Sequence, residues 1–491
     1  MTLAKRGLLR AMVAVGMVAT ITAAVGIPAR TTYGAQVSVD EPQYLMTAIS
    51  LGEDFDLDVS DEIDEERYLP FHQIGLNTQT IDLNDQGQRI SPHDPLLPAM
   101  LALPMRVGGW VAARASIAAL AGLLAAATLW VAVRRFGVST RTGAWVVGVL
   151  SATPPLTAYG SQIYPELPAA LAMVVAVGAV SGLQVEAAET RSRTQLLMAL
   201  VVAATALPWL SVKYVPTTAA VVGIAARNLW RLGQRRLLLI GGLALSAMGI
   251  LYVVFHVQVY GGWTVYSAGD HFVTSEFGVV GFDPDYWGRS RRLVGLLIDR
   301  PFGLASWSPA WLAMAPALGA LLARRSAGWS LLALPIATGW ATATWLALTM
   351  HGWWWPGRQV VVILPLVVVV IAIAVDRARR MLLPLVASAT VGAAGWIWVA
   401  IEASTGRRAL AVDVTETSWV GYRWFSRLFP DLQRSSASDL LWAFVWTLVL
   451  LAWAVLAGRR ASVEGDEDAS RSEGANADKV ASDLDGGSAI W

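Results

Sequence analysis

The residues of this chain with the most chemistry to offer are carboxylates and cations that a membrane-spanning design does not need. Asp40 and Glu41 stand side by side in Val39-Asp40-Glu41-Pro42-Gln43-Tyr44-Leu45, just beyond the first apolar stretch. Proline suits the first turn of a helix and an acidic residue suits the cap before it. Tyr44, Leu45, Ala48, Ile49 and Leu51 then continue an apolar stripe at helical spacing. The segment predicts a short interfacial helix with two carboxylates at its start. Such a carboxylate can take a proton from an attacking hydroxyl. The plainer role is an N-cap in favourable contact with the helix dipole.

Other polar residues recur at the ends of apolar stretches. His93-Asp94-Pro95-Leu96-Leu97-Pro98 opens a second interfacial helix, with a turn and cap as its plainer reading. Glu166, in Tyr164-Pro165-Glu166-Leu167-Pro168, is either a cap or a second carboxylate facing the compartment of Asp40. Lys213 lies in the tight turn Leu207-Pro208-Trp209-Leu210-Ser211-Val212-Lys213-Tyr214. It can hold an anion such as phosphate, or snorkel to lipid headgroups. His351-Gly352-Trp353-Trp354-Trp355-Pro356-Gly357-Arg358 joins an aromatic cluster to a guanidinium. That is an interfacial belt, or a wall for a lipid or sugar with Arg358 on its phosphate. Arg300 is a further cation of the same kind. Residues 53–66 are strongly acidic, and close carboxylates suit Ca²⁺. No Asp-x-Asp-x-Asp-Gly loop is present, which favours a solvated acidic face.

The elements that carry these residues follow from composition. Of 491 residues, 55% are hydrophobic and only 15% are charged, against about 25% charged in soluble domains. This excludes a soluble enzyme, a disordered protein and a repeat solenoid. The absence of cysteine excludes disulfides, thiolate metal sites and cysteine nucleophiles. A net charge of +1 gives no basic surface for nucleic acid. The 23 tryptophans suit a chain with many membrane interfaces.

A span needs roughly 20 apolar residues, and about twelve candidates are present. They are 8–29, 110–133, 143–160, 165–184, 195–212, 214–230, 237–257, 301–323, 328–350, 359–375, 381–401 and 439–457. The first follows Lys5, Arg6 and Arg10 like a signal peptide, but its length points to a retained anchor. Arginines fall in alternate gaps: Arg134 and Arg135; Arg191 and Arg193; Arg231, Arg235 and Arg236; Arg324 and Arg325; Arg377, Arg379 and Arg380; Arg459 and Arg460. The positive-inside rule then predicts both termini inside. Residues 30–109, 258–300 and 402–438 become outer loops, the first of them large and carrying the interfacial helices. His72, His93, His256, His271 and His351 all map to the outer side. Residues 1–460 form the all-α polytopic domain. Residues 461–491, with eight acidic residues against Arg471 and Lys479, read as a disordered cytoplasmic tail.

A first span, an Asp-Glu pair just outside it, two interfacial helices in a large first loop and a dozen spans together resemble the GT-C glycosyltransferases. Within that superfamily the chain is most similar to the protein O-mannosyltransferase and aminoarabinose-transferase group. The residues that carry the resemblance are Asp40-Glu41 with Gln43-Tyr44-Leu45, Tyr164-Pro165-Glu166, Leu207-Pro208-Trp209 with Lys213, and Gly352-Trp353-Trp354 with Arg358. It covers roughly residues 1–460, and the acidic stretch 53–66 has no counterpart in it.

The resemblance implies a sugar carried on polyprenyl phosphate and transferred outside the cytoplasmic membrane to a hydroxyl of a glycan, lipid or protein. It gives Asp40 the role of catalytic base, with Glu41 as the neighbouring candidate. A single inverting displacement needs one positioned carboxylate. Phosphate is a good leaving group, so the second, proton-donating carboxylate of a glycosidase is unnecessary. Positive charge must instead meet the departing phosphate, and Lys213, Arg300 and Arg358 are the candidates. Tyr44, His93, Asp94, His351, Trp353 and Trp354 are expected to line the site. Metal use varies in the superfamily, which leaves a divalent cation open, and no other cofactor is implied.

Two other classes compete. A transporter or flippase of a polyprenyl-linked glycan places ionisable groups near the bilayer midplane, where this sequence has few; Arg114, close to an outer end, is one. A non-catalytic assembly protein could share the fold. Convergence of Asp40, Glu166, Lys213 and Arg358 on one cavity separates an enzyme from such a scaffold.

Overall fold

The computed structural model describes residues 3–82, 87–184, 190–267, 285–347, 349–434 and 436–485. The fold is all-α apart from a two-stranded antiparallel ribbon, Ile81–Asp82 against Arg89–Ile90. His271 lies outside the described residues.

Among the described residues, eight helices are long and apolar enough to cross a membrane: Lys5–Ala24, Leu96–Phe136, Glu166–Leu183, Ser192–Leu210, Arg235–Tyr260, Arg358–Arg377, Arg379–Ser404 and Ala437–Val463. The remaining expected spans are interrupted or short. Residues 143–160 divide into Thr140–Ser151 and Leu156–Tyr159, on either side of Pro154 and Pro155. The stretch 301–323 is broken into Leu304–Trp307, Pro309–Ala313 and Met314–Arg324. The stretch 328–350 is helical over Ser330–Ala341 and then widens to a π-helical turn over Thr342–Leu346. Val215–Arg231 is helical but 17 residues long. Proline removes a backbone donor and crowds the preceding turn, which a hydropathy window does not register.

The first helix, Leu3–Ala24, packs along Leu96–Phe136 through small residues. A side chain on Gly16 would stand 3.1 Å from the carbonyl oxygen of Gly122, so the backbones meet as small-residue contacts between apolar helices do. Trp396 Nε1 donates to Thr22 O at 2.8 Å and fastens the outgoing end of this helix.

The expected short helices in the first loop are both present. Glu41–Glu53 has Pro42 in its first turn and is buried over most of its length. The second begins at Leu96 and is set off from the following span by non-helical backbone at Gly108 and Gly109. Gly109 has φ +62°, a conformation that glycine alone adopts at little cost. At the far end, Ala437–Asp485 is one continuous helix. The backbone beyond Ala461 is therefore helical through Asp485, where composition predicts disorder; the Ala, Glu and Arg of this segment have good helix propensity.

Candidate active site

Asp40 occupies the N-cap position of Glu41–Glu53, but its side chain makes no capping bond. It turns instead to Arg358, whose Nη2 lies 2.9 Å from Asp40 Oδ2. Arg358 Nε donates to Glu166 Oε1 at 2.8 Å, and Lys213 Nζ reaches the same oxygen at 2.6 Å. Two carboxylates and two cations thus form one continuous network. His93 Nε2 stands 3.9 Å from Asp40 Oδ1 and its ring meets Tyr44 edge-on at 4.5 Å. The Arg358 guanidinium lies 4.1 Å from the centre of the Tyr164 ring and 5.0 Å from that of Trp354. Such cation–π contacts hold the planar group in one orientation.

These groups border a cavity of about 350 Å³ whose walls include Asp40, Tyr44, His93, Lys213, Trp354 and Arg358. Irregular backbone surrounds it. The π-turn Thr342–Leu346, the 3₁₀ turn Val212–Tyr214 and the 3₁₀ start of the span at Arg358–Ile363 all contribute wall residues. Non-helical backbone at the end of an apolar span is tolerated where it borders a cavity. Two buried donors of this wall, Tyr214 Oη and Trp354 Nε1, have no hydrogen-bond partner. Buried polar groups nearly always find one, so the cavity offers vacant donors as well as charge.

Burial works against the ionised form of Asp40, but Arg358 above all, with Lys213, outweighs it and holds the carboxyl below its ordinary range. Burial lowers the pKa of His93, against the pull of Asp40, and favours the neutral imidazole. Burial likewise lowers that of Lys213, with Glu166 opposing. The arrangement provides an ionised carboxylate beside two fixed cations, which suits proton abstraction next to a developing anion.

The structure brings Asp40, Glu166, Lys213, Arg358, Tyr44, His93 and Trp354 together. It does not bring the other expected residues there. Glu41 is fully buried and turned away from the cavity. Its Oε2 accepts from Thr31 Oγ1 at 2.9 Å and Ser38 N at 3.1 Å, and its Oε1 accepts from Ile163 N at 2.9 Å, with Arg114 Nη2 at 3.8 Å. It ties the start of its helix to two other segments. Arg300 donates to the carbonyls of Phe429 and Ser426 and closes a loop. His351 lies 3.1 Å from Asp299 Oδ2, against Phe302. Trp353 is 69% exposed. Asp94 supports from behind: Tyr252 Oη donates to it, His256 Nε2 lies at 3.0 Å, and the amide of Val212, next to Lys213, donates at 3.3 Å.

Sequence reasoning passed over Tyr214 and Tyr266 on the cavity wall, and Tyr164 beneath Arg358. Tyr164 and Tyr214 adjoin motif residues, and an aromatic beside a buried cation was the signal that could have found them.

No protein-family profile matches the sequence, and no curated protein matches it. Solved structures do. The fold matches that of ArnT from Cupriavidus metallidurans in the apo state, with TM-score 0.52 and 14% identity over 94% of this chain and 78% of that one. It also matches the same protein bound to undecaprenyl phosphate, with TM-score 0.51 and 12% identity over 91% and 77%. An oligosaccharyltransferase of Archaeoglobus fulgidus in the apo form matches at TM-score 0.42 and 12% identity, over 84% and 60%. The chain shares the fold of ArnT.

Proposed function

We propose that this chain is an inverting membrane glycosyltransferase that moves a sugar from a polyprenyl-phosphate donor to an acceptor hydroxyl. The observation that carries the reading is the Asp40–Arg358–Glu166–Lys213 network, in which Asp40, Arg358 and Lys213 line one cavity and Glu166 joins the two cations behind its wall. The GT-C fold supports it, as does the binding of undecaprenyl phosphate by ArnT. The arginines that fall in alternate gaps support a topology with both termini in the cytoplasm and the cavity on the extracytoplasmic face.

Asp40 accepts the acceptor's hydroxyl proton as its oxygen attacks the anomeric carbon. The bond from that carbon to the phosphate oxygen breaks, and the electron pair leaves with the lipid phosphate. Arg358 and Lys213 stabilise that charge. With no donor bound, Arg358 is shared between Asp40 and Glu166. An arriving phosphate competes for the guanidinium and releases Asp40 for the acceptor. Tyr214 Oη and Trp354 Nε1 are the unpartnered donors available to the sugar or phosphate.

The test is turnover by the purified chain. Incubated with polyprenyl-phosphate-linked sugars and an envelope extract, it should release polyprenyl phosphate and glycosylate an acceptor. Binding of polyprenyl phosphate without turnover of any donor would favour an assembly protein, and absence of binding would overturn the reading.

A further inference from the structure

Most carboxylates of the acidic stretch 53–66 are exposed, as its composition suggests, but Glu62 is buried. Asp54 follows directly after Glu41–Glu53, and Asp61 and Glu62 belong to the short helix Ser60–Asp64. One carboxylate oxygen from each of the three lies within 4.8 Å of the others. Asp54 and Asp61 are exposed, but Glu62 is fully buried and neither of its carboxylate oxygens has a hydrogen-bond partner. Nearby arginines of the loop are committed elsewhere: Arg67 pairs with Glu53 at 2.9 Å, Arg89 with Asp64 at 2.8 Å, and Arg106 donates to the carbonyl of Gly52 at 3.3 Å.

A buried carboxyl without a donor must either hold a proton or, to stay ionised, meet something positive. Oxygens bound to one Ca²⁺ at about 2.4 Å can be no more than about 4.8 Å apart, so the spacing of these three fits a single ion. The donor set is all oxygen and anionic, without imidazole or thiolate, which selects a hard cation over zinc or copper.

We propose that Asp54, Asp61 and Glu62 form a Ca²⁺-class divalent-cation site, completed by water and backbone carbonyls. The site stands at the opposite end of the helix capped by Asp40, about 20 Å away for 13 residues at 1.5 Å each. It is therefore separate from the cavity and independent of the reaction assigned there. Its effect is to clamp the far end of that helix to the rest of the loop.

The experiment is calorimetric titration of the full-length solubilised protein with Ca²⁺ after treatment with EDTA, in parallel with thermal unfolding. Wild type should bind saturably at one site and unfold at a higher temperature with Ca²⁺. Asp54→Asn and Asp61→Asn, both at exposed positions that tolerate the change, should each lower affinity by at least about tenfold. Glu62→Gln should abolish binding and, without Ca²⁺, be no less stable than wild type. Asp64→Asn, which removes an exposed carboxylate paired with Arg89, should leave affinity unchanged. No Ca²⁺-dependent heat or shift in wild type would overturn the site, as would equal losses in Asp61→Asn and Asp64→Asn, the mark of diffuse attraction. Binding lost in Asp40→Asn but kept in Asp61→Asn would place the ion in the cavity and overturn it equally.

Discussion

Glu166 Oε1 receives both Arg358 Nε, at 2.8 Å, and Lys213 Nζ, at 2.6 Å, so one buried oxygen holds the two cations side by side. Like charges do not adopt such a position unaided. Glu166 therefore acts as the organiser of a positive site, and under the proposed function Asp40 is the carboxylate left for proton transfer.

Asp40→Asn should reduce turnover by at least about a hundredfold, the usual scale for a positioned base, with folding retained. The asparagine still fills the N-cap, where Asp40 makes no capping bond to lose. Turnover of purified, monodisperse protein measures it; a near-normal rate would remove Asp40 from this role.

Lys213→Ala and Arg358→Ala should each weaken affinity for a short-chain polyprenyl phosphate by roughly ten- to a hundredfold. That corresponds to about 1.5–3 kcal/mol for a charge-assisted contact. Arg358→Lys should recover only part, because lysine lacks the planar fork that spans Asp40 and Glu166. Direct binding measurements on wild type, both single variants and the double variant decide it. Unchanged affinity in all of them would exclude these cations from the phosphate site.

The pH profile of kcat/KM, which reports the free protein, should show no acid limb from Asp40 above its ordinary value of 3.8. The reactive form is ionised, and its folded-state pKa is lowered, so activity is lost only as pH falls through that lowered value. Arg358→Gln removes the largest favourable charge on Asp40 and should move the limb to higher pH. A limb that stays in place in the variant would show that another group controls it.

Glu41→Ala should act on stability. The residue is fully buried and accepts hydrogen bonds from Thr31, Ser38 and Ile163 beside Arg114. Removing one partner from a buried pair costs about 3–5 kcal/mol. Thermal unfolding in detergent should show a clear loss, and a larger one than Asp40→Asn, which keeps the side chain's shape and leaves Arg358 paired with Glu166. Equal unfolding temperatures for the two variants would contradict the division of labour between these neighbours.

Hydropathy made the long spans legible, because an apolar run of helical length has few other uses. It could not show that 301–323 and 328–350 are broken, since the first break falls at a proline and the second borders the cavity. Asp40, Glu166, Lys213 and Arg358 stood out because the membrane design has no need of them. Glu41 could not be told from Asp40 in the sequence. The direction of its side chain is set by Arg114 and Ile163, distant in the chain. Arg300 and His351 have the right type and place, but Phe429 and Asp299 engage them elsewhere. Such partners are tertiary facts that local sequence does not carry.

Arg114 belongs to the long helix Leu96–Phe136, yet its guanidinium donates to the carbonyls of Ile27, Ala29 and Gln36, all on the strand of chain that leads to Asp40. The vertical position of Asp40 is thereby referred to a transmembrane helix and not to the loop that carries it. A lipid phosphate has its own level, set by the thickness of the bilayer. Under the proposed function, both heights are then measured from the same hydrocarbon slab, and carboxylate and donor phosphate would meet at a constant elevation, however the aqueous part of the first loop rearranges above them.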